Sequence, residues 1–523
     1  MKLWVKLLIV LSFIGLLGAA PSRIIIRDCV DPDCITTFPA AGVPYDILNN
    51  AMMQAIQQYT DDYVGVITKI SKAKCDGTTD DTAVVNSELS SGVHLQLPAG
   101  TCIMSSAVLM KSNTYLQGQG MGITILKLKN GVMPGAGQDG GRVISHTNFA
   151  QAGSTDQNIE ISYLTIDGNS ANNPDIAAGS AGGVAFAYAT NVRVHHAEVK
   201  NIDGYGGIYF GETTGGGPQD INPALYVERC IIRDSISSTA GGSYGAMMFI
   251  TAPQTKGIFV NHNYGYNNRQ GILLEDNPQY GEIIGNIIEK SALSIIGIGI
   301  HLNGATNGKF SVSHNKVTRY GRGIVADGNG NSDQIISENT VELSNYDGIL
   351  IATPGSLTDI QRNIIVAKNI VKNTQAGPGI RVSGSARDIT LSDNHSYDDQ
   401  GTKTQTYGVS IDYSGVSYVK IHDNDLRGNL TGPLFLVAGT GHEIHDNMGY
   451  NPVGISTITP STGVAYTAGA SPETIYVYGG TVTDVTTLST TVATSSPAQV
   501  ELDPNQSVTF TFSGSPTFRR YIH

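Results

Sequence analysis

Glu275, His301 and Asp327 are two carboxylic acids and an imidazole lying in one repetitive stretch of the chain. Two carboxyl groups can divide proton donation and proton acceptance between them, and an imidazole set between them shifts the proton affinity of either. Arg322 and Arg381 add guanidiniums able to hold a carboxylate, and Tyr346 and Asp347 bring further polar groups to the same stretch. These residues act together only if the backbone returns to the same place each time one of them is due.

The pattern implies that it does. "FVNHNYGYNNRQGILLEDN", residues 259–277, "SVSHNKVTRYGRGIVADGNG", residues 311–330, and "IISENTVELSNYDGILIATPG", residues 335–355, share one skeleton. An Asn follows a short apolar run, variable polar residues come next, and a second apolar run opens with Gly-Ile. Asn263, Asn286, Asn315, Asn339, Asn369, Asn394, Asn424 and Asn447 recur every 23 to 30 residues, a solenoid-type period. The second runs begin Gly271-Ile272, Gly299-Ile300, Gly323-Ile324, Gly348-Ile349, Gly379-Ile380 and Gly408-Val409. One such unit cannot bury its own apolar face, but stacked units can, each strand pairing with its copy in the next coil. The expected fold is all-β, a right-handed single-stranded parallel β-helix with coils ~4.8 Å apart and the Asn side chains laddered inside at one turn.

The period of two along a strand then assigns the faces. With Ile272, Ile300, Ile324, Ile349 and Ile380 inward, one outward column reads Leu273, His301, Val325, Leu350 and Arg381, and the next reads Glu275, Asn303, Asp327, Ala352 and Ser383. Arg269, Arg322, Tyr346 and Asp347 lie on the polar approach to these strands, with Glu212 and Asp276 at strand ends. Glu275 and Asp327 are then two coils apart, ~10 Å at the backbone. Side chains can close that to the ~6.5–9.5 Å carboxyl separation of an inverting glycosidase. Arg322 or Arg381 would hold a sugar-acid carboxylate. The competing reading is a solvated face with incidental charges, such as any acidic solenoid carries.

Residues 75–128 open the repetitive region. Asp76, Gly77, Asp80, Asp81 and Thr82 make an Asp-Gly-x-x-Asp-Asp-Thr start, Pro98 to Thr101 a Pro-Ala-Gly-Thr turn, and Gly118 and Gly120 a Gly-x-Gly turn. This opening resembles that of the pectate lyase-like superfamily, right-handed parallel β-helix proteins that include polysaccharide-active enzymes and phage tailspike-like proteins. The resemblance implies the architecture and leaves the chemistry open, because lyases, hydrolases, epimerases and non-catalytic spikes share it. Asp76, Asp80 and Asp81 read as turn and helix N-terminal residues rather than catalytic acids. The polygalacturonase-like Gly-His-Gly and Arg-x-Lys are absent, and the classical pectate lyase calcium site is not identifiable. The expected function is a secreted protein that engages polysaccharide and cleaves or modifies it, as a glycoside hydrolase or polysaccharide lyase. Glu275, Asp327 and His301 would be catalytic, and Arg322, Arg381, Tyr346 and Asp347 would bind substrate. The alternative is a non-catalytic surface or tailspike-like adhesin that binds glycan.

Only 15% of the 523 residues are charged while 62 are Gly, which suits turn-rich β structure. A net charge of -12 without a basic run argues against a nucleic-acid partner. Lys2 and Lys6 precede an apolar run, residues 7–17, too short to span a bilayer, and Gly18-Ala19-Ala20 offers a cleavage site. Residues 1–20 therefore read as a secretory signal, leaving no membrane span and a secreted or cell-surface protein. Cys29 with Cys34 and Cys75 with Cys102 are the expected disulfides; Cys230 replaces an Asn of the repeat and should be buried and inert; no CxxC pair suggests zinc.

Residues 21–91 form a lead-in and helical cap, with helical apolar spacing over 45–63. Residues 92–450 form the β-helix. Residues 451–523, rich in Thr, Ser and Val, alternate like a small β-sandwich whose role is capping, homotrimer formation or glycan binding. "DGNGNSD", residues 327–333, spaces oxygens like a calcium loop with Glu338 at the twelfth place. Ser332, however, stands where the turn Gly belongs, and Glu338 falls in an expected strand. The segment reads as a turn; no metal ligand set is assigned and calcium stays open as a cofactor. His195-His196 have no partner at a metal-binding spacing.

Overall fold

The computed structural model describes residues 67–522 apart from 133–141, 150–155, 175–181, 212–223, 238–244, 252–255, 276–277, 279, 305–308, 329–331, 354–359, 438 and 451–454. It also describes an antiparallel pair, Arg23–Ile25 with Thr37–Pro39, in a separate unit of residues 1–66. The signal-like N-terminus, the helix expected over 45–63, Cys29, Cys34, Glu212 and Asp276 lie outside the described residues.

Three parallel sheets of 12, 14 and 12 strands wall the main unit. Each coil contributes one strand to each in turn. Gln270–Glu275 joins the first sheet, Tyr280–Ile284 the second and Ile287–Glu289 the third; Ile298–Asn303 then returns to the first. This is a right-handed single-stranded parallel β-helix, the hand that parallel crossovers overwhelmingly take. Ile272, Ile300, Ile324, Ile349 and Ile380 pair in register and are fully buried. Each contributes ~1.5–3 kcal/mol by leaving water, so a one-residue slip of any coil is strongly disfavoured. Among the described residues no helix is long and apolar enough to cross a membrane.

The Gly before each Ile has a packing cause. A Cβ on Gly271 would stand 1.9 Å from the Gly299 carbonyl oxygen, and one on Gly323 would stand 2.3 Å from both the Gly348 oxygen and Val341 Cγ1. At this corner the third sheet presses on the first, and no side chain fits.

The eight asparagines form one continuous buried ladder. Asn339 accepts from the Asn315 backbone amide and from Asn315 Nδ2, both at 3.0 Å, and donates its own Nδ2 to Asn369 Oδ1 at 3.0 Å and to Val312 O at 2.8 Å. The same exchange runs from Asn263 to Asn447. The residue before each Asn turns the corner in the left-handed region, at φ 57° for His262 and His314, 58° for Glu338 and 56° for Lys368 and Asp393. Cys230 heads the ladder: its amide donates to Asn263 Oδ1 at 2.9 Å, and burial pushes its thiol up to about 12.

The helix Thr82–Glu88 sets Val85 and Leu89 into the core that the coils share. Asp80, one residue before the N-cap Asp81, accepts from Thr82 N at 3.1 Å. Asp81 turns back to the amides of Lys74 and Cys75 at 2.8 and 2.9 Å. Asp76 closes a turn on Thr79 and Thr78, whose amides and hydroxyls, Thr79 foremost, hold its carboxyl below the usual range. These three acids are thus consumed by local structure. Cys75 and Cys102 are joined in a disulfide. In the native protein Cys230 should resist a thiol reagent at pH 8, and non-reducing peptide mapping should recover Cys75 linked to Cys102. A free thiol at either of those two positions would contradict the pairing.

The C-terminal module has two four-stranded antiparallel sheets around its own core, which includes Ile475, Val485, Val508 and Phe510. It joins the last coil where Ala470 O accepts from Ile444 N at 2.5 Å and Asn505 Nδ2 donates to His442 O at 3.0 Å.

Candidate functional site on the outer face of the first sheet

The strands Gln270–Glu275, Ile298–Asn303 and Arg322–Asp327 lie side by side. Leu273 pairs with His301, His301 with Val325, and Asn303 with Asp327. Inward Ile, Leu and Ala side chains fix this register, so the intervening side chains must point outward. His301 and Asp327 meet diagonally, Nε2 to Oδ1, at 2.6 Å, with 14% and 28% of their side chains exposed. Asn303 stands between the two acids, its Nδ2 3.5 Å from Glu275 Oε1. The structure therefore brings the three predicted catalytic residues onto one surface, with a carboxylate-oriented imidazole and a second carboxylate two coils away.

The predicted substrate-binding residues are arranged differently. Arg322 Nε donates to Asp347 Oδ2 at 2.9 Å. Arg381 reaches Asp347 Oδ1 at 3.5 Å, and grips Asp412 Oδ2 through Nε at 2.7 Å and Nη2 at 2.5 Å. Asp347 is only 1% exposed. Both guanidiniums therefore already carry carboxylate partners, and Asp347 is the buried anchor between them. Tyr346 remains well exposed at 43%, with the Arg322 guanidinium 5.5 Å from its ring centroid. Asp412 is tied into this network and is no inert bystander.

The ends of the calcium-like spacing are both engaged by imidazoles, Asp327 by His301 and Glu338 by His314 Nε2 at 2.6 Å. Cys75, Asp81 and Cys102 place their heteroatoms within 4.8 Å of one another, but the sulfurs are spent on the disulfide and Asp81 on backbone amides.

The sequence pattern missed two further clusters. On the second sheet His195 joins Glu160 through Nε2 at 2.7 Å and His196 through Nδ1 at 2.9 Å, with the Tyr163 ring stacked 5.0 Å from His196. Beneath the first sheet's earlier coils, buried His146 bonds Asp156 at 2.7 Å through Nδ1 and accepts from Ala187 N through Nε2 at 3.2 Å. That acceptor role requires a neutral ring, and burial lowers its proton affinity accordingly. Neither pair has a sequence signature: Glu160 sits one coil before His195, and Asp156 follows His146 by ten residues at no recognisable spacing.

Residues 249–449 match a family model described as a right-handed beta helix region. Mannuronan C5-epimerase AlgE5 of Azotobacter vinelandii is 24% identical over 418 residues, covering 71% of this chain and 36% of the relative. The pre-neck appendage protein of Bacillus phage phi29 is 28% identical over 142 residues, covering 27% of this chain and 15% of the relative. The chain thus spans little more than a third, or less, of the length of these curated relatives. Among solved structures, the tailspike protein of E. coli bacteriophage HK620 in complex with pentasaccharide superposes with a TM-score of 0.50 at 12% identity, covering 97% of this chain and 98% of that one. With its three parallel sheets, its internal Asn ladder and this match, the chain has the fold of a right-handed parallel β-helix protein.

Proposed function

We propose that this protein works outside the cell, engages polysaccharide along the outer face of its first sheet, and cleaves or modifies it there. Glu275 acts as general acid, Asp327 as general base, and His301 positions and tunes Asp327. The observation that carries this is the His301–Asp327 contact at 2.6 Å, with Glu275 two coils away on the same outward surface. That arrangement supports an acid–base pair: two carboxyl groups ~10 Å apart at the backbone on one face, with an oriented imidazole beside one of them. The relatives agree in kind: one is an epimerase of mannuronan and another structure holds a pentasaccharide. The Cys75–Cys102 disulfide suits an oxidising, extracellular setting.

The test is a panel of uronate and neutral polysaccharides incubated with purified protein, with and without a chelator, and products read by mass. Unsaturated ends indicate a lyase, water addition a hydrolase, and altered stereochemistry at unchanged mass an isomerase. Loss of activity with chelator would bring calcium back as a cofactor.

One observation favours a second reading. Asn303 Nδ2 lies 3.5 Å from Glu275 Oε1, between the two acids, where an inverting hydrolase needs room for water. If glycan binds but no polysaccharide changes, the protein is a surface or tailspike-like adhesin. Light scattering would then show whether it assembles as a trimer.

A further inference from the structure

The three coils that carry Glu275, His301 and Asp327 carry a second set of side chains at the other end of their first-sheet strands. Arg269 stands directly before Gln270–Glu275. Lys290 follows Ile287–Glu289 in the coil that continues into Ile298–Asn303, and Arg319 follows Lys316–Thr318 in the coil that continues into Arg322–Asp327. The third sheet pairs Glu289 with Thr318, so Lys290 and Arg319 succeed one another along the corner. Arg319 Nη1 donates to the Lys290 carbonyl at 3.3 Å. Lys290 Nζ lies 4.8 Å over the Tyr320 ring and donates to Ser294 Oγ at 3.3 Å. The Tyr320 hydroxyl donates to Asn268 O at 3.3 Å, one residue before Arg269. Arg269 Nη1 donates to Ser237 O at 2.9 Å, and its buried Nε has no hydrogen-bond partner among the described residues.

None of these three cations forms an ion pair with a carboxylate among the described residues, whereas Arg322 and Arg381 both do. Glu289, next to Lys290 in the chain, is taken by the Tyr264 hydroxyl at 2.7 Å. The Arg269 and Lys290 charges repel one another, and Arg319 stands next to Lys290 along the corner. Burial, with the Arg269 charge, pushes the Lys290 ammonium down to about 8. An anion placed among them would relieve that repulsion, with guanidinium N–H groups and an ammonium as donors.

We propose that Arg269, Lys290 and Arg319 form a binding site for an anionic substituent of the glycan, a uronate carboxylate or a sulfate or phosphate ester. This rests on the function proposed above. The site lies the length of one strand, ~20 Å at ~3.3 Å per residue, from Glu275. It would therefore hold a sugar several units away from the reacting bond and lay the glycan along the strands. The role expected for Arg322 and Arg381 passes to cations without a carboxylate partner among the described residues.

The test is calorimetry on the full chain with four probes: an oligouronate, its carboxyl-reduced neutral counterpart, a sulfated oligosaccharide and inorganic sulfate. The wild type should bind one charged oligosaccharide at least about tenfold tighter than the neutral one, a difference of ~1.4 kcal/mol. Preference for the uronate identifies a carboxylate site; preference for the sulfated probe, with competition by inorganic sulfate, identifies an ester site. Lys290→Met and Arg319→Met should erase the preference and leave neutral affinity unchanged, which also reports an intact fold. Lys290→Gln repeats the test should Met perturb packing against Tyr320. Equal wild-type affinity for charged and neutral probes, or a preference that survives Lys290→Met combined with Arg319→Met, overturns the site. The catalytic reading is judged separately: loss of turnover in Glu275→Gln with no charge preference sinks this site alone. A charge preference erased by Lys290→Met, with turnover untouched in Glu275→Gln, upholds the site and sinks the assignment of Glu275.

Discussion

Glu275→Gln and Asp327→Asn should each lower turnover of a verified polysaccharide substrate by ~10²–10⁴-fold, the usual worth of a positioned general acid or base. Each amide keeps the shape of the acid it replaces and most of its hydrogen bonding, so oligosaccharide binding should persist and the loss should fall on kcat. Asp327→Asn has a second effect. It replaces the carboxylate that His301 Nε2 meets at 2.6 Å, so the pH dependence of whatever activity remains should change with it. His301→Gln should shift the pH profile while leaving a larger residual rate than either carboxyl variant. Glu282→Gln serves as the control, since Glu282 is an exposed outward acid of the second sheet, paired in register with Phe259 and Ser311. Asp412→Asn would be a poor control because Asp412 holds Arg381 at 2.5 Å. Near-wild-type rates in both Glu275→Gln and Asp327→Asn, with substrate saturation confirmed, would place the chemistry elsewhere on the coil surface.

Asn339→Ala should be among the most destabilising single changes in the β-helix. Asn339 sits mid-ladder and is 1% exposed. Alanine would strand the Asn315 amide and the Val312 carbonyl, two buried groups that now bond to Asn339, while Asn315 Nδ2 keeps the Ile283 and Ser313 carbonyls. At ~1–3 kcal/mol for each buried group left unsatisfied, the cost is about 2–6 kcal/mol. Asn447→Ala should cost less. Asn447 is the last rung and 8% exposed: it accepts from Asn424 N at 3.2 Å and Nδ2 at 2.8 Å as the other rungs do, but it donates to no further Asn, and water can reach the groups it would leave. Denaturant unfolding of the two variants beside wild type provides the comparison. An Asn339→Ala variant no less stable than Asn447→Ala would mean that the ladder contributes nothing beyond its individual turns.

Much of the architecture was legible because a solenoid poses the same physical problem at every coil. Each corner needs a buried group that satisfies the amide of the coil before it, and Asn answers with one acceptor and one donor, so it recurs. Each first-sheet strand begins where the neighbouring coil's carbonyl leaves no room for a Cβ, so Gly recurs before Ile. Once the inward isoleucines are set, the period of two places Glu275, His301 and Asp327 outward without any further information. Cys230 was readable for the same reason, as a break in a repeat.

Side-chain partnership was not legible. Arg322 and Arg381 looked available for a substrate carboxylate, and only the folded chain shows that Asp347 and Asp412 hold them. Arg269, Lys290 and Arg319 are unremarkable along the chain, and the corner of the coils gathers them. The physical reason is reach. Backbone register depends on a strict alternation that each strand repeats. A long charged side chain instead chooses among neighbours on the coils above and below, whose positions depend on loops that vary in length from one turn of the helix to the next. The sequence by itself determined the coil, its inward and outward faces and the residues on the outer column; the tertiary structure alone decided which of those charges are spent on one another, as Arg322 and Arg381 are on Asp347 and Asp412.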